Sequence, residues 1–137
     1  MLLRYVSEDE SAVNGKILIV ENQIIVAIDL KQRLESMGYN IVGISSSGED
    51  AIKKCGKIKP DLVLMNIMLK GNLDGIETAQ KIRNAYNIPF IFKTGYFDNK
   101  SVKRAARTQP WGYITKPFDD KGIQNAIEMA FIKHYKK

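Results

Sequence analysis

Five times along this chain of 137 residues, a short run rich in β-branched and apolar residues gives way to a longer segment with helical spacing. The runs Lys16 to Val20 (KILIV), Asn40 to Ile44, Asp61 to Met65 (DLVLM), Pro89 to Lys93 (PFIFK) and Trp111 to Thr115 read as strands. Between and after them come five helical patterns. The first, Asn22 to Met37, carries Val26, Leu30, Leu34 and Met37 on one stripe. The second carries Ala51, Ile52 and Cys55, and the third Ile76, Ala79 and Ile82. Asp98 to Arg107 is a short fourth helix, and Asp119 to about Lys133 a fifth that turns Ile123, Ile127 and Ala130 inward. Strand-then-helix repetition at this spacing predicts an α/β fold, a five-stranded parallel sheet with helices on both faces, because each right-handed crossover needs a helix to return the chain. In such a sheet, ligands gather at the carboxyl ends of the strands.

Local signals punctuate the pattern. Gly38 suits the end of the first helix. Ser47 with Asp50 three residues on, and Asp74 with Glu77, have the spacing of helix N-caps, and Pro60 closes the second unit. The repeat occupies residues 15–133. Residues 1–14 stand outside it as an extension or linker, with Glu8, Asp9 and Glu10 favouring solvent, and residues 134–137 form a basic tail. The length fits one domain.

Composition narrows the function. The longest apolar stretches, Ile17 to Val20 and Leu62 to Met65, are strand-sized, far below the roughly 18 to 20 residues of a membrane span. The start MLLRYVSEDE turns acidic too soon for a signal-peptide core. A single cysteine, Cys55, excludes an internal disulfide and fits a cytoplasmic chain, with core filling as its expected role. The formal charge of +6 comes largely from Lys53, Lys54, Lys57 and Lys59 and from Lys100, Lys103, Arg104 and Arg107. No aromatic residues interleave with these bases as a single-strand stacking platform requires, so solvated helix faces are expected in preference to nucleic-acid binding.

The strand ends carry the chemistry. Glu21 and Asn22 follow the first strand, Asn66 the third, Thr94 the fourth and Lys116 the fifth, so all five are expected at one crevice. The order VEN, DLVLMN with GNLDGIE downstream, KTG and GYITKPF resembles the receiver domain of two-component response regulators over about residues 15–133. The resemblance implies a flavodoxin-like (βα)5 fold and a place in phosphorelay signal transduction, and no enzyme. In that family an acidic pair after the first strand helps hold Mg2+, an Asp ending the third strand accepts a phosphoryl group, and a Thr or Ser with a Lys binds it. Carried over, the metal positions are Glu21, Asn22, Asn66 and the backbone carbonyl of Met68; the acceptor position is Asn66; and the phosphate-binding and switch positions are Thr94, Lys116 and Tyr113. Gly95 beside Thr94 suits close approach of an anion, and Pro117 resembles the family's Lys-Pro peptide.

Two of the three family carboxylates are therefore amides. Phosphoryl acceptance needs an anionic oxygen in line with the donor, which a neutral amide does not supply. Asn nearly matches Asp in shape, so the fold is expected to survive while the nucleophile is lost. Mg2+ is expected to bind weakly or not at all with one carboxylate and no phosphate, Glu21 and Lys116 alone giving local neutrality. Asn66 has two accounts: an acceptor replaced by engineering in a working receiver, or a natural pseudo-receiver acting as a phosphorylation-independent interaction module, which Asn22 favours. A phosphatase on a similar sheet needs Asp at positions 66 and 68, where this chain has Asn66 and Met68. A nucleotide or flavin module needs a glycine-rich loop where VENQII stands.

The expected partners follow from the same resemblance: a sensor histidine kinase or phosphotransfer protein, a downstream effector protein, and a homodimer partner, with no membrane. The fourth helix, fifth strand and fifth helix commonly carry partner contacts in the family, and here they present Lys100, Lys103, Arg104 and Arg107 to an acidic surface. On the first helix Ile24 and Ile28 form an apolar strip off the buried stripe, open to a docking kinase or to residues 1–14. His134 has no expected role.

Overall fold

The computed structural model describes residues 15–95, 99–115 and 117–135. The elements run β1 (Lys16–Val20), α1 (Ile24–Ser36), β2 (Asn40–Ser45), α2 (Gly48–Ile58), β3 (Leu62–Asn66), α3 (Gly75–Tyr86), β4 (Phe90–Thr94), α4 (Asn99–Arg107), β5 (Gly112–Thr115) and α5 (Asp120–Tyr135). The strands form one sheet in the order β2-β1-β3-β4-β5, and every neighbouring pair is parallel.

Strand alternation divides the core in two. Ile17, Ile19, Leu62, Leu64, Ile91 and Ile114 meet Ala27, Leu30 and Leu34 of α1 and Ile123, Ile127 and Phe131 of α5. Their chain neighbours Leu18, Val20, Val63, Met65, Phe90 and Phe92 point the other way, onto Ala51 and Cys55 of α2, Ile76, Ala79 and Ile82 of α3 and Ala105 of α4. Strands covered on both faces read as continuous apolar runs, which is how KILIV and DLVLM read. Cys55 is fully buried in the second cluster, and burial pushes its thiol up to about 12.

The expected caps form. Ser47 Oγ accepts from the Asp50 N–H at 3.2 Å, and Asp74 and Glu77 close a reciprocal capping box. Gly38, at φ 96°, follows α1 in the left-handed region. Helix α2 ends on a signal the sequence hides: Lys59 takes φ 56° without being glycine.

Several boundaries differ from the sequence expectation by one or two residues, α5 running on to Tyr135, and three of the differences matter to the crevice. Strands β3 and β4 run one residue further, because Asn66 pairs in register with Lys93 and Thr94 with Thr115. Helix α1 begins at Ile24, not Asn22, because Gln23 stays extended and its N–H donates to Glu21 instead. Its buried stripe is Ala27, Leu30 and Leu34; Val26 is only partly covered, lining the crevice, and Met37 is likewise partly covered. No described helix is long and apolar enough to cross a membrane.

Candidate functional site at the carboxyl ends of the strands

A cleft of about 660 Å3 opens where β1, β3 and β4 end, and Glu21, Asn22, Asn66, Met68, Lys93 and Arg104 are among its lining residues. The sheet positions most of them. Each strand delivers its last residue to the same edge, and the chain leaves through loops whose own hydrogen bonds hold the side chains.

Glu21 is tied by its N–H to the Ser45 carbonyl at 2.9 Å. Both its carboxylate oxygens are engaged. Oε2 accepts from the Gln23 N–H at 3.0 Å and from Asn66 Nδ2 at 3.3 Å. Oε1 lies 2.7 Å from Lys93 Nζ, and the side chains of this pair are 7% (Lys93) and 2% (Glu21) exposed. The ammonium also sits 5.3 Å from the centroid of the Phe118 ring.

Asn66 is the hub. Its Nδ2 donates to Glu21 Oε2 at 3.3 Å, to Asn22 Oδ1 at 3.4 Å and to the Met68 carbonyl at 3.3 Å. Two hydrogens serve three acceptors, so one is shared. Its Oδ1 accepts from the Met68 N–H at 3.3 Å, which fixes which way the amide faces. Glu21, Asn22 and the Met68 carbonyl, all named from the sequence, thus converge on one point, and that point is an amide nitrogen.

The loop after β3 needs its glycine. The Gly75 N–H donates to the Ile67 carbonyl at 2.9 Å, and a Cβ on Gly75 would lie 2.0 Å from the Asn66 carbonyl oxygen. The start of α3 is thereby held directly under Asn66. Asp74, at the cap of α3, accepts from Arg104 of α4 at 2.8 Å through Oδ2. Arg104 therefore departs from the expected outward basic face: Asp74 draws it into the cleft, while Lys100, Lys103 and Arg107 remain exposed.

Thr94 is buried on the rung it shares with Thr115. Tyr113 is 41% exposed, with its ring 6.1 Å from that of Phe92, and partial burial raises its phenol above the usual range. Lys116 lies outside the described residues, as do residues 1–14. The strip on α1 is present and larger than expected, since Ile25, 80% exposed, joins Ile24 and Ile28.

Sequence reasoning missed Lys93. Glu21 was expected to be balanced by Lys116 alone; Lys93 of β4 also pairs with it directly, while Lys116 lies outside the described residues. The signal was a lysine one position before Thr94 in an otherwise apolar strand, hence on the opposite face of the sheet from Thr94. Among the described residues, no three His, Cys, Asp or Glu side chains gather in a group able to hold a metal ion.

A five-stranded parallel sheet of this order, with a polar crevice built on the ends of its first, third and fourth strands, defines a CheY-like receiver fold. The family model of the response regulator receiver domain matches residues 17–128. The chain belongs to that family. It is 32% identical over 124 residues to the transcriptional regulatory protein PdtaR of Mycobacterium tuberculosis, covering 90% of this chain and 60% of that protein. It is 28% identical over 116 residues to the phyllosphere-induced regulator PhyR of Methylorubrum extorquens, covering 84% and 43%. The chain thus spans about half the length of the curated relatives it matches. Among solved structures, the signal receiver domain of a modulated diguanylate cyclase from Desulfovibrio desulfuricans superposes with a TM-score of 0.83 at 39% identity, over 87% of this chain and 94% of that one. A CheY-like receiver domain protein from Methanospirillum hungatei shares the fold, with a TM-score of 0.81 at 23% identity, over 89% of this chain and 97% of that one.

Proposed function

We propose that this receiver domain serves two-component signalling as a phosphorylation-independent interaction module: it keeps the receiver fold and its partner surfaces but accepts no phosphoryl group. The observation that carries the proposal is the Asn66 amide, whose nitrogen donates to Glu21, Asn22 and the Met68 carbonyl. A carboxylate in its place would aim a second anion at those oxygens and need a cation between them. The amide removes the nucleophile and supplies hydrogen bonds where that cation would stand. Mg2+ requires oxygen donors turned towards it, and these oxygens already accept from N–H groups, so the residues do not fit a resident divalent ion.

The rival account, a working receiver silenced only by replacement of its acceptor, leaves two features unexplained. Asn22 has lost the second acidic group, and Lys93 already neutralises the one that remains. By resemblance Thr94, Lys116 and Tyr113 stand at the family's phosphate-binding and switch positions in the sequence, and in this reading they no longer answer to a phosphoryl group at position 66. The partners are a kinase or phosphotransfer protein at the Ile24, Ile25 and Ile28 strip, and an acidic effector surface or a second copy at Lys100, Lys103 and Arg107.

Intact-mass spectrometry tests the proposal. The chain is incubated with a small phosphodonor and Mg2+, beside a receiver with an intact acceptor Asp as control. The control gains a base-labile phosphoryl group and this chain does not; a base-labile adduct on this chain overturns the proposal.

A further inference from the structure

Lys93 is the least expected residue in the sheet. It sits in the middle of β4's carboxyl end, paired in register with Asn66, with its side chain 7% exposed. A buried ammonium is tolerated only where an anion and further contacts replace its water. Glu21 Oε1 at 2.7 Å supplies the anion, and the Phe118 ring at 5.3 Å supplies the second contact. From the other side, Glu21 is just as dependent. Its Oε2 has the Gln23 N–H and Asn66 Nδ2, both neutral donors, so the full positive charge against it among the described residues is Lys93.

We infer that Lys93 is the resident counter-ion of the crevice, a tethered cation that holds Glu21 in place without metal and bars a divalent ion even when an acid is restored at position 66. The inference rests on the proposed reading of Asn66 and extends it. Asn66→Asp sets a second carboxylate beside Glu21, but Glu21 already carries a covalently tethered ammonium at contact distance. An incoming Mg2+ must displace that ammonium from Glu21 and leave it buried beside Phe118 without its anion. Silencing is therefore held by two residues on adjacent strands, one removing the nucleophile and one occupying the charge.

The test is a titration of MgCl2 into four chains: the unsubstituted chain, Asn66→Asp, Lys93→Met and Asn66→Asp/Lys93→Met, followed by backbone amide shifts. Met keeps the length and apolar stem of lysine and removes the charge. The double variant is expected to bind Mg2+ saturably, at least about tenfold more tightly than Asn66→Asp. A smaller gain overturns the inference, as does saturable binding by the unsubstituted chain. If the Met variants fail to fold, Lys93→Gln in the Asn66→Asp background keeps a hydrogen-bond donor for Glu21 and carries the same expectation. Failure of both double variants to fold even with Mg2+ present also overturns it, since the metal then cannot replace the lysine. Inertness of the unsubstituted chain to phosphodonor stands or falls separately, because it depends on the missing nucleophile and not on Lys93.

Discussion

Gly75 lies so close under Asn66 that a Cβ on it would come within 2.0 Å of the Asn66 carbonyl oxygen. The blocking atom is backbone at the end of β3, which cannot swing aside as a flexible side chain could. Gly75→Ala is therefore expected to push the start of α3 away from Asn66 and lower stability by about 2 to 4 kcal/mol. Urea unfolding of the variant beside the unsubstituted chain measures this. A midpoint unchanged by the substitution would mean the loop has slack that this packing excludes.

Glu21→Gln removes the anion from a buried lysine and keeps the shape. The expected loss is about 3 to 5 kcal/mol, the range for breaking one side of a buried pair, with much of it due to Lys93 left uncompensated. Adding Lys93→Met to Glu21→Gln should recover a large part of that loss, because the stranded charge is gone. Thermal midpoints of the two single variants and the double variant test this. Simple additivity would contradict the pairing.

Cys55 gives a pH prediction. Burial raises its thiol from 9.0 to about 12, so the folded chain holds the proton over a range where the unfolded chain has lost it. The neutral thiol's contribution is fully present below pH 9.0 and is lost progressively as pH rises from there towards about 12. The native protein is also expected to resist thiol alkylation at pH 8, a window where an exposed cysteine reacts, and to react on unfolding. Rapid labelling of the folded chain would contradict the burial.

The fold was legible because two periodicities alternate cleanly: KILIV and DLVLM fill both faces of a sheet, while Leu30 with Leu34 and Ile123 with Ile127 keep helical spacing. Strand ends were less so. Asn66 and Thr94 belong to β3 and β4 because Lys93 and Thr115 lie opposite them, and register with a distant segment is not written locally. Glu21, Asn22, Asn66 and Thr94 could be named because residues that end a strand or directly follow it fall at a known edge. Lys93 stood out only as a lysine in an apolar strand, and its partners Glu21 and Phe118 are remote in sequence, so its pairing was not written locally. Arg104 shared a basic run with Lys103 and Arg107, and only the fold brings Asp74 to it.

Glu21, Asn22, Asn66 and Lys93 satisfy one another across the crevice, so neither Mg2+ nor a phosphoryl group is expected to move them. The most direct measurement is the amide spectrum of the isotope-labelled chain, recorded before and after adding Mg2+ and a small phosphodonor together. The signals of Asn66, Met68, Thr94 and Gly95 should stay where they are, with no second set of peaks. Saturable movement of those four, or a new set of peaks at Thr94 and Tyr113, would mean the crevice still answers to phosphate and metal, and would contradict the account.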